Sequence, residues 1–256
     1  MDLRRRTSLV RAWTGRRPGV PAAPSPDLSW VRSPADPEAV VLVLHGGQEQ
    51  SERATTWTNI AVVRMLPIAL SIARAGRGRF AVVRIRYAVR GWNGLAARPL
   101  VEGRRALDDI AARFPGVPIA LVGHSMGGRV ALHLSGDERV THIVGLAPWI
   151  GGTDRFEPHA ELRLLVIHGL DDRITSPVAS RQLVERLQAH GRHASFVALR
   201  DEKHAMLHRW RDWDQLTAGF LRTALGPGRT EEASGTMSPV EQLGARASSE
   251  PLRTVI

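Results

Sequence analysis

The segment Gly123-His124-Ser125-Met126-Gly127 limits the possible folds of this chain more than any other stretch. It follows the apolar run 119–122 and leads into a segment whose composition suits a helix. The order predicts a strand, a sharp turn and a helix, with Ser125 at the apex of the turn. Glycines two residues before and after the serine leave room for the strand and the helix to pass closely, and the turn forces Ser125 into a strained backbone conformation. We therefore expect the serine hydroxyl to stand above the edge of a sheet.

A serine hydroxyl is a weak nucleophile at neutral pH, so it needs a general base and an acid that orients the base. Candidates for both lie downstream, each after a strand-like apolar run. Asp171 and Asp172 follow the run 164–167, and His204 follows the run 194–199. Ligands bind at the carboxyl edge of open parallel sheets, which is where these loops would meet Ser125.

Apolar runs alternate with helix-periodic segments along the chain, which predicts an α/β fold with a mostly parallel sheet of about six or more strands and helices on both faces. We predict strands near residues 39–45, 81–87, 119–124, 142–147, 164–168 and 194–199. We predict helices near residues 58–75, 99–114, 126–135, 177–190 and 205–225.

Four separated motifs carry a resemblance to a known family. They are Val41-Leu42-Val43-Leu44-His45-Gly46-Gly47, Gly123-His124-Ser125-Met126-Gly127, Ile167-His168-Gly169-Leu170-Asp171-Asp172 and His204. Over about residues 39 to 225 the chain resembles the α/β-hydrolases, and it looks like a small member without a lid. The resemblance implies Ser125 as nucleophile, Asp172 as acid and His204 as base. The family usually has its acid three residues after the glycine of the His-Gly turn, which favours Asp172 over Asp171. Asp154 stays an alternative, because some members carry the acid after the preceding strand.

Two backbone amides are expected to stabilise the charge that develops on a substrate carbonyl. One is the amide of Met126, directly after Ser125. The other belongs to the loop after the first strong strand, where we favour Gly47 over Gln48. Gln48, Trp92 and Trp149 are candidates for the substrate pocket, although each tryptophan could instead be ordinary packing. The side chain of Met126 and the loop residue Arg90 could also contact substrate.

The other histidines of the motifs receive structural roles. We expect His45, His124 and His168 to hydrogen-bond loop backbone. His204 and His208 stand four residues apart, but the acid of the H-E-x-x-H pattern is absent and the chain has no cysteine. We therefore expect no metal site, and the resemblance implies no organic cofactor.

Composition predicts one folded unit over residues 28–225, flanked by disordered tails at 1–27 and 226–256. Half of the net charge of +10 lies in residues 1–32, which hold seven arginines and two aspartates. That distribution argues against a nucleic-acid partner. The sequence contains no run of 18 apolar residues, so it predicts no membrane span. The apolar stretch of an export signal does not follow Arg4–Arg6, so we expect a cytoplasmic protein.

Two short connections limit the architecture further. Residues 28–39 leave space for only a short antiparallel hairpin before the sheet, or for none. About 15 residues link Trp149 to Arg163, which is too few for a large lid, so we expect an open site. The sequence thus predicts a serine hydrolase acting on a small-molecule ester or thioester, of unknown oligomeric state. Alternatives are cleavage of amides, peptides or C–C bonds by the same residues, or a non-catalytic protein that binds a small molecule or a partner.

Overall fold

The computed structural model describes residues 26–225 and 237–256. The strands are β1 Asp27–Arg32, β2 Ala39–Leu44, β3 Phe80–Arg86, β4 Ile119–His124, β5 Val140–Leu146, β6 Arg163–Gly169, β7 His193–Leu199 and β8 Arg253–Val255. The helices are α1 Ile60–Val63, α2 Met65–Ala75, α3 Arg98–Arg113, α4 Met126–His133, α5 Pro177–Ala189, α6 Trp210–Leu225 and α7 Pro239–Ser249, with a short 3-10 turn at Gly94–Ala96.

The strands form one eight-stranded sheet in the order β1-β3-β2-β4-β5-β6-β7-β8. β1 pairs antiparallel with β3, and the other neighbouring strands run parallel. The predicted α/β fold with a mostly parallel sheet is therefore confirmed. The parallel strands all end at the same edge of the sheet, and the site described below lies at this carboxyl edge.

Both faces of the sheet are covered, which explains why the central strands are continuously apolar. In β2, Val40, Leu42 and Leu44 face one core, whereas Ala39, Val41 and Val43 face the other. Helices α3, α4 and α5 pack on the first face, and α2, α6 and α7 pack on the second. Burial of two large apolar layers is the main force that holds the sheet in place.

Two predicted helices differ in detail from the structure. The predicted helix at 58–75 is split into α1 and α2, because Pro67 has no N–H to donate to the carbonyl of Val63. The predicted helix at 205–225 begins only at Trp210. Met206 adopts a left-handed φ of 57°, which a helix cannot accommodate.

The C-terminal residues depart from the expected disordered tail at 226–256. Within that range, residues 226–236 lie outside the described residues, but α7 packs on α6 and β8 extends the sheet beyond β7. Ala247 of α7 is fully buried, and its carbonyl accepts a hydrogen bond from Ser195 Oγ of β7. The Ser- and Glu-rich composition suggested disorder, but Val240, Leu243 and Ala247 of α7 pack against the second core.

At the other end, residues 1–25 of the expected tail at 1–27 also lie outside the described residues. From residue 26 to β2 there is no hairpin, in line with the expected short or absent one; β1 is a single edge strand that begins at Asp27 and pairs antiparallel with β3. An ion pair of 2.5 Å between Asp27 and Arg86 ties β1 to β3. Across the described ranges, no helix is long and apolar enough to span a membrane.

Candidate active site

Ser125 occupies the turn between β4 and α4, with φ 55° and ψ −116°. This conformation is sparsely populated for a residue with a side chain and costs on the order of 1–3 kcal/mol. The neighbouring glycines make the turn possible. A Cβ on Gly123 would lie 2.3 Å from the carbonyl oxygen of Gly127, and a Cβ on Gly127 would lie 2.3 Å from that of Leu44 in β2. The predicted strand, turn and helix are therefore present, with the serine at the apex.

Three side chains from distant parts of the chain form one hydrogen-bonded series. His204 Nε2 lies 3.1 Å from Ser125 Oγ, and His204 Nδ1 lies 2.7 Å from Asp172 Oδ2. The Asp172 side chain is fully buried, that of His204 is 15% exposed, and Ser125 is 8% exposed. The structure thus brings the three predicted residues together at the carboxyl edge, where His204 and Ser125 keep a small exposed fraction.

The carboxylate of Asp172 is held by five possible donors. Oδ1 accepts from the amides of Ile174 and Thr175 at 2.7 and 2.9 Å. Oδ2 lies 2.7 Å from His204 Nδ1, 2.8 Å from Thr175 Oγ1 and 3.1 Å from His168 Nε2. Burial alone would raise the pKa of Asp172, but hydrogen bonds from His168, His204 and the Thr175 amide outweigh it and hold that pKa well below its usual range. Asp172 is therefore an anion that fixes the His204 proton on Nδ1.

The other two candidate acids have different partners from Asp172. Asp171 is exposed, and its amide donates to the carbonyl of Glu202. Asp154 is nearly buried and forms an ion pair of 2.7 Å with Arg129. Burial would raise the pKa of Asp154, but hydrogen bonds from His133, Arg129 and the Gly151 amide lower it to about 2.

His124 and His45 hydrogen-bond backbone, as their structural interpretation predicts. His124 Nε2 donates to the His204 carbonyl at 3.0 Å, and the two rings pack with centroids 4.8 Å apart. His45 Nδ1 donates to the Gly46 carbonyl at 2.6 Å, and its Nε2 accepts from the Tyr87 amide. Burial lowers the pKa of His124 to about 3 and that of His45 to about 4, so both rings are neutral.

His168 does not follow that interpretation, because its partners are side chains. Its Nε2 faces Asp172, and its Nδ1 lies 2.9 Å from Ser180 Oγ. Thr175 also lies among these groups, 3.2 Å from the carbonyl of Ala147. Sequence reasoning missed Thr175 and Ser180. The signal available was the spacing: His168 and Thr175 stand four residues before and three residues after Asp172.

The two amides expected to bind an oxyanion belong to neighbouring segments. Met126 is the first residue of α4, where backbone amides have no partner within the helix. The Gly47 loop lies against it, because a Cβ on Gly47 would come within 2.3 Å of Met126 Cε. The amide of Gln48 donates to the Arg90 carbonyl at 2.8 Å, so it is already used. The side chain of Met126 is fully buried, which contradicts its suggested contact with substrate.

A pocket of about 230 Å³ opens beside this loop. It is lined by His45, Gly46, Gly47, Gln48, Thr55, Asn59, Ile60, Ala61 and Arg90. Gly46 connects it to the nucleophile, since a Cβ there would lie 3.3 Å from Ser125 Cβ. Of the three predicted pocket residues, only Gln48 lines this pocket. Arg90, the suggested further contact, lines it as well.

Trp92 and Trp149 do not line this pocket. Their rings enclose the guanidinium of Arg129, whose Cζ lies 4.1 and 4.3 Å from the two ring centroids. Such cation–π contacts, together with the ion pair to Asp154, fasten the segment after β5 onto helix α4. The structure therefore assigns both tryptophans to packing, which was the alternative to their predicted place in the pocket.

The site can now be compared with known proteins. No protein-family model matches the chain, and no curated protein matches it in sequence. Solved structures do match. A serine hydrolase without a lid from Xanthomonas campestris aligns with TM-score 0.57 and 21% identity, over 82% of this chain and 100% of its own. An esterase from Pyrococcus furiosus aligns with TM-score 0.60 and 15% identity, over 78% of this chain and 88% of its own.

The chain has the α/β-hydrolase fold. In this α/β-hydrolase fold the connection after β5, residues 147–162, contains neither helix nor strand, so no large lid is inserted there. At identities this low the likeness extends to the fold alone, and the chemistry has to be argued from the side chains.

Proposed function

We propose that the protein is a serine hydrolase that cleaves a carboxylic ester or thioester through an acyl-enzyme on Ser125. The observation that carries this proposal is the series from Ser125 Oγ through His204 to the buried carboxylate of Asp172, at 3.1 and 2.7 Å. A hydroxyl, a base and an orienting acid in this order are the groups that nucleophilic acyl transfer requires.

In the first step, His204 Nε2 takes the proton of Ser125 as Oγ attacks the substrate carbonyl. The amides of Gly47 and Met126 stabilise the oxyanion, and each such donor contributes about 3 kcal/mol. His204 then gives its proton to the leaving alcohol or thiol, and the acyl-enzyme forms. In the second step, His204 takes a proton from a water molecule as the water oxygen attacks the acyl carbon. The tetrahedral intermediate then collapses, His204 gives that proton to Ser125 Oγ, and the carboxylic acid is released.

The pocket next to Gly47 supports a preference for short acyl groups. Its volume of about 230 Å³ lies below the range of about 300–1,000 Å³ that encloses drug-sized ligands. The short connection at 147–162 adds no cover for a long chain. We therefore expect the best substrates to carry acyl groups of a few carbons.

Labelling with a fluorophosphonate probe tests the proposal. The wild type should be labelled, and Ser125→Ala and His204→Ala should not. Ser135→Ala is a matched control, because Ser135 is also buried but lies outside the site, and it should label fully. A p-nitrophenyl ester series from acetate to palmitate then measures acyl length, and paired oxygen and sulfur esters of one acid compare the two substrate classes.

Absence of labelling in a folded wild-type protein would contradict the proposal. The chain would then belong to the class that uses the fold to bind a small molecule or a partner. A binder would keep its ligand affinity in Ser125→Ala, whereas an enzyme loses turnover.

A further inference from the structure

A second imidazole touches the acid of the site. His168, in β6, is fully buried, and its Nε2 lies 3.1 Å from Asp172 Oδ2, the oxygen that also faces His204. The carboxylate therefore lies between two imidazoles, only one of which reaches Ser125. Nothing in the proposed acyl transfer uses His168.

The contacts of the Asp172 carboxylate indicate a role for His168. The two backbone amides bind Oδ1 and make no hydrogen bond to Oδ2. His168 and Thr175 approach Oδ2 from the strand and from the loop. These contacts fix where Oδ2 lies, and so they set the distance and direction of its hydrogen bond to His204.

Ser180 hydrogen-bonds the other ring nitrogen of His168. Ser180 is fully buried in α5, and its Oγ lies 2.9 Å from His168 Nδ1. The carboxylate of Asp172 can only accept, so His168 Nε2–H donates to it, and Nδ1 can accept from the Ser180 hydroxyl. The series Ser180, His168, Asp172, His204 and Ser125 thus joins α5 to the nucleophile through consecutive hydrogen bonds.

We propose that His168 is a positioning residue for the reaction at Ser125, one that orients the Asp172 carboxylate and shares its negative charge. This inference rests on the proposed hydrolase function. His168 touches neither Ser125 nor the pocket, so it acts only through Asp172 and His204. Its loss should therefore lower kcat and leave KM nearly unchanged.

The test compares two substitutions of similar size. His168→Gln keeps an N–H donor near the position of Nε2, whereas His168→Met removes it. Because small misplacements of reacting groups are costly, we expect kcat for a short p-nitrophenyl ester to fall about tenfold or more in His168→Met and much less in His168→Gln. His142→Met is the matched control: His142 is also a buried strand histidine, but its ring contacts Thr141 and Phe220.

The pH profile separates positioning from a general structural effect. Without the His168 donor, more negative charge on Asp172 faces His204, so protonated His204 is held more firmly. The midpoint of the acidic limb of kcat/KM should move upward by about half a pH unit in His168→Met and stay in place in His142→Met. His124 also packs against His204 and is unchanged in all variants.

Ser180→Ala gives a second test that leaves His168 in place. It should lower kcat by a smaller factor, and combining it with His168→Met should cause no further loss, because both act through one contact. Should His168→Met fail to fold, Ser180→Ala decides the question by the same two readouts.

Wild-type kcat and an unmoved pH midpoint in folded His168→Met, or in Ser180→Ala where His168→Met does not fold, would overturn the inference. That outcome differs from failure of the proposed function. In the latter case, the wild type itself is neither labelled at Ser125 nor active on any ester. If the wild type is labelled and active but His168→Met keeps its kcat and pH midpoint, only the positioning role is refuted.

Discussion

Replacing Asp172 by asparagine isolates the electrostatic part of the site. The amide has nearly the shape of the carboxylate, and its oxygen can still accept from the backbone amides of Ile174 and Thr175. Its NH2 group then takes the position of Oδ2, where the nitrogen of His204 lies at 2.7 Å. Two N–H donors cannot face each other, so His204 must turn its unprotonated Nδ1 toward the amide and carry its proton on Nε2.

That tautomer is unable to accept the proton of Ser125. Loss of the correct tautomer in such a series costs about 10⁴ in kcat, which corresponds to about 5.5 kcal/mol of transition-state stabilisation. Because Asp172 is fully buried and does not contact the pocket, KM should change little. The variant should also react with the fluorophosphonate probe far more slowly than the wild type.

The assay is the steady-state hydrolysis of a short p-nitrophenyl ester, with thermal unfolding as the check on folding. Asp171→Asn is the matched control, since Asp171 is adjacent but exposed, and its kcat should stay within about twofold of the wild type. If folded Asp172→Asn kept more than about a tenth of wild-type kcat, or if Asp171→Asn were equally impaired, the assignment of the acid would be refuted.

Two further predictions concern the oxyanion loop and an acid outside the site. In Gly47→Ala the new Cβ would lie 2.4 Å from the Arg90 carbonyl oxygen, so the loop must move. Its kcat should fall about 10²–10³-fold. Gly152→Ala is the control and should keep its rate, because the space around its Cβ is open. Burial raises the pKa of Asp214 from 3.8 to about 6, which means that ionisation disfavours the folded state. Stability should therefore fall as pH rises from about 4 to above 6. At pH 8, Asp214→Asn should be about 1 kcal/mol more stable than the wild type, after allowance for solvent screening, and should unfold at a higher temperature. At pH 4 the variant and the wild type should unfold at the same temperature. The exposed Asp109→Asn is its control, and a gain that is the same at both pH values would contradict the argument.

The sequence predicted the sheet well because its strands are buried on both faces. A strand such as β2 alternates its side chains between two apolar layers, so every residue is apolar and the run stands out. The same is true of β4, and the glycines beside Ser125 mark the turn that follows it. These patterns are local, so they predict the strands and the turn without knowledge of the rest of the fold.

Features that depend on distant partners were harder to predict. Trp92 and Trp149 follow strand ends, as pocket residues often do, but the guanidinium that separates them comes from Arg129, one turn after Ser125 in α4. Helix α7 has only a narrow apolar stripe, and its stability comes from packing on α6 rather than from its composition. In both cases the deciding contact joins segments whose pairing no periodicity reveals.

The position of Asp172 depends both on local sequence and on a contact with a distant residue. Its backbone donors come from residues two and three positions later, so the turn Asp172-Arg173-Ile174-Thr175 orients the carboxylate by local geometry that a short sequence can specify. Asp171, one position earlier, has its amide bound to Glu202 and its side chain in solvent, so it cannot enter the same turn. The choice between the two neighbouring aspartates therefore depends on which one the turn can hold. His204, 32 residues further along the chain, then has to meet a carboxylate that is already in place.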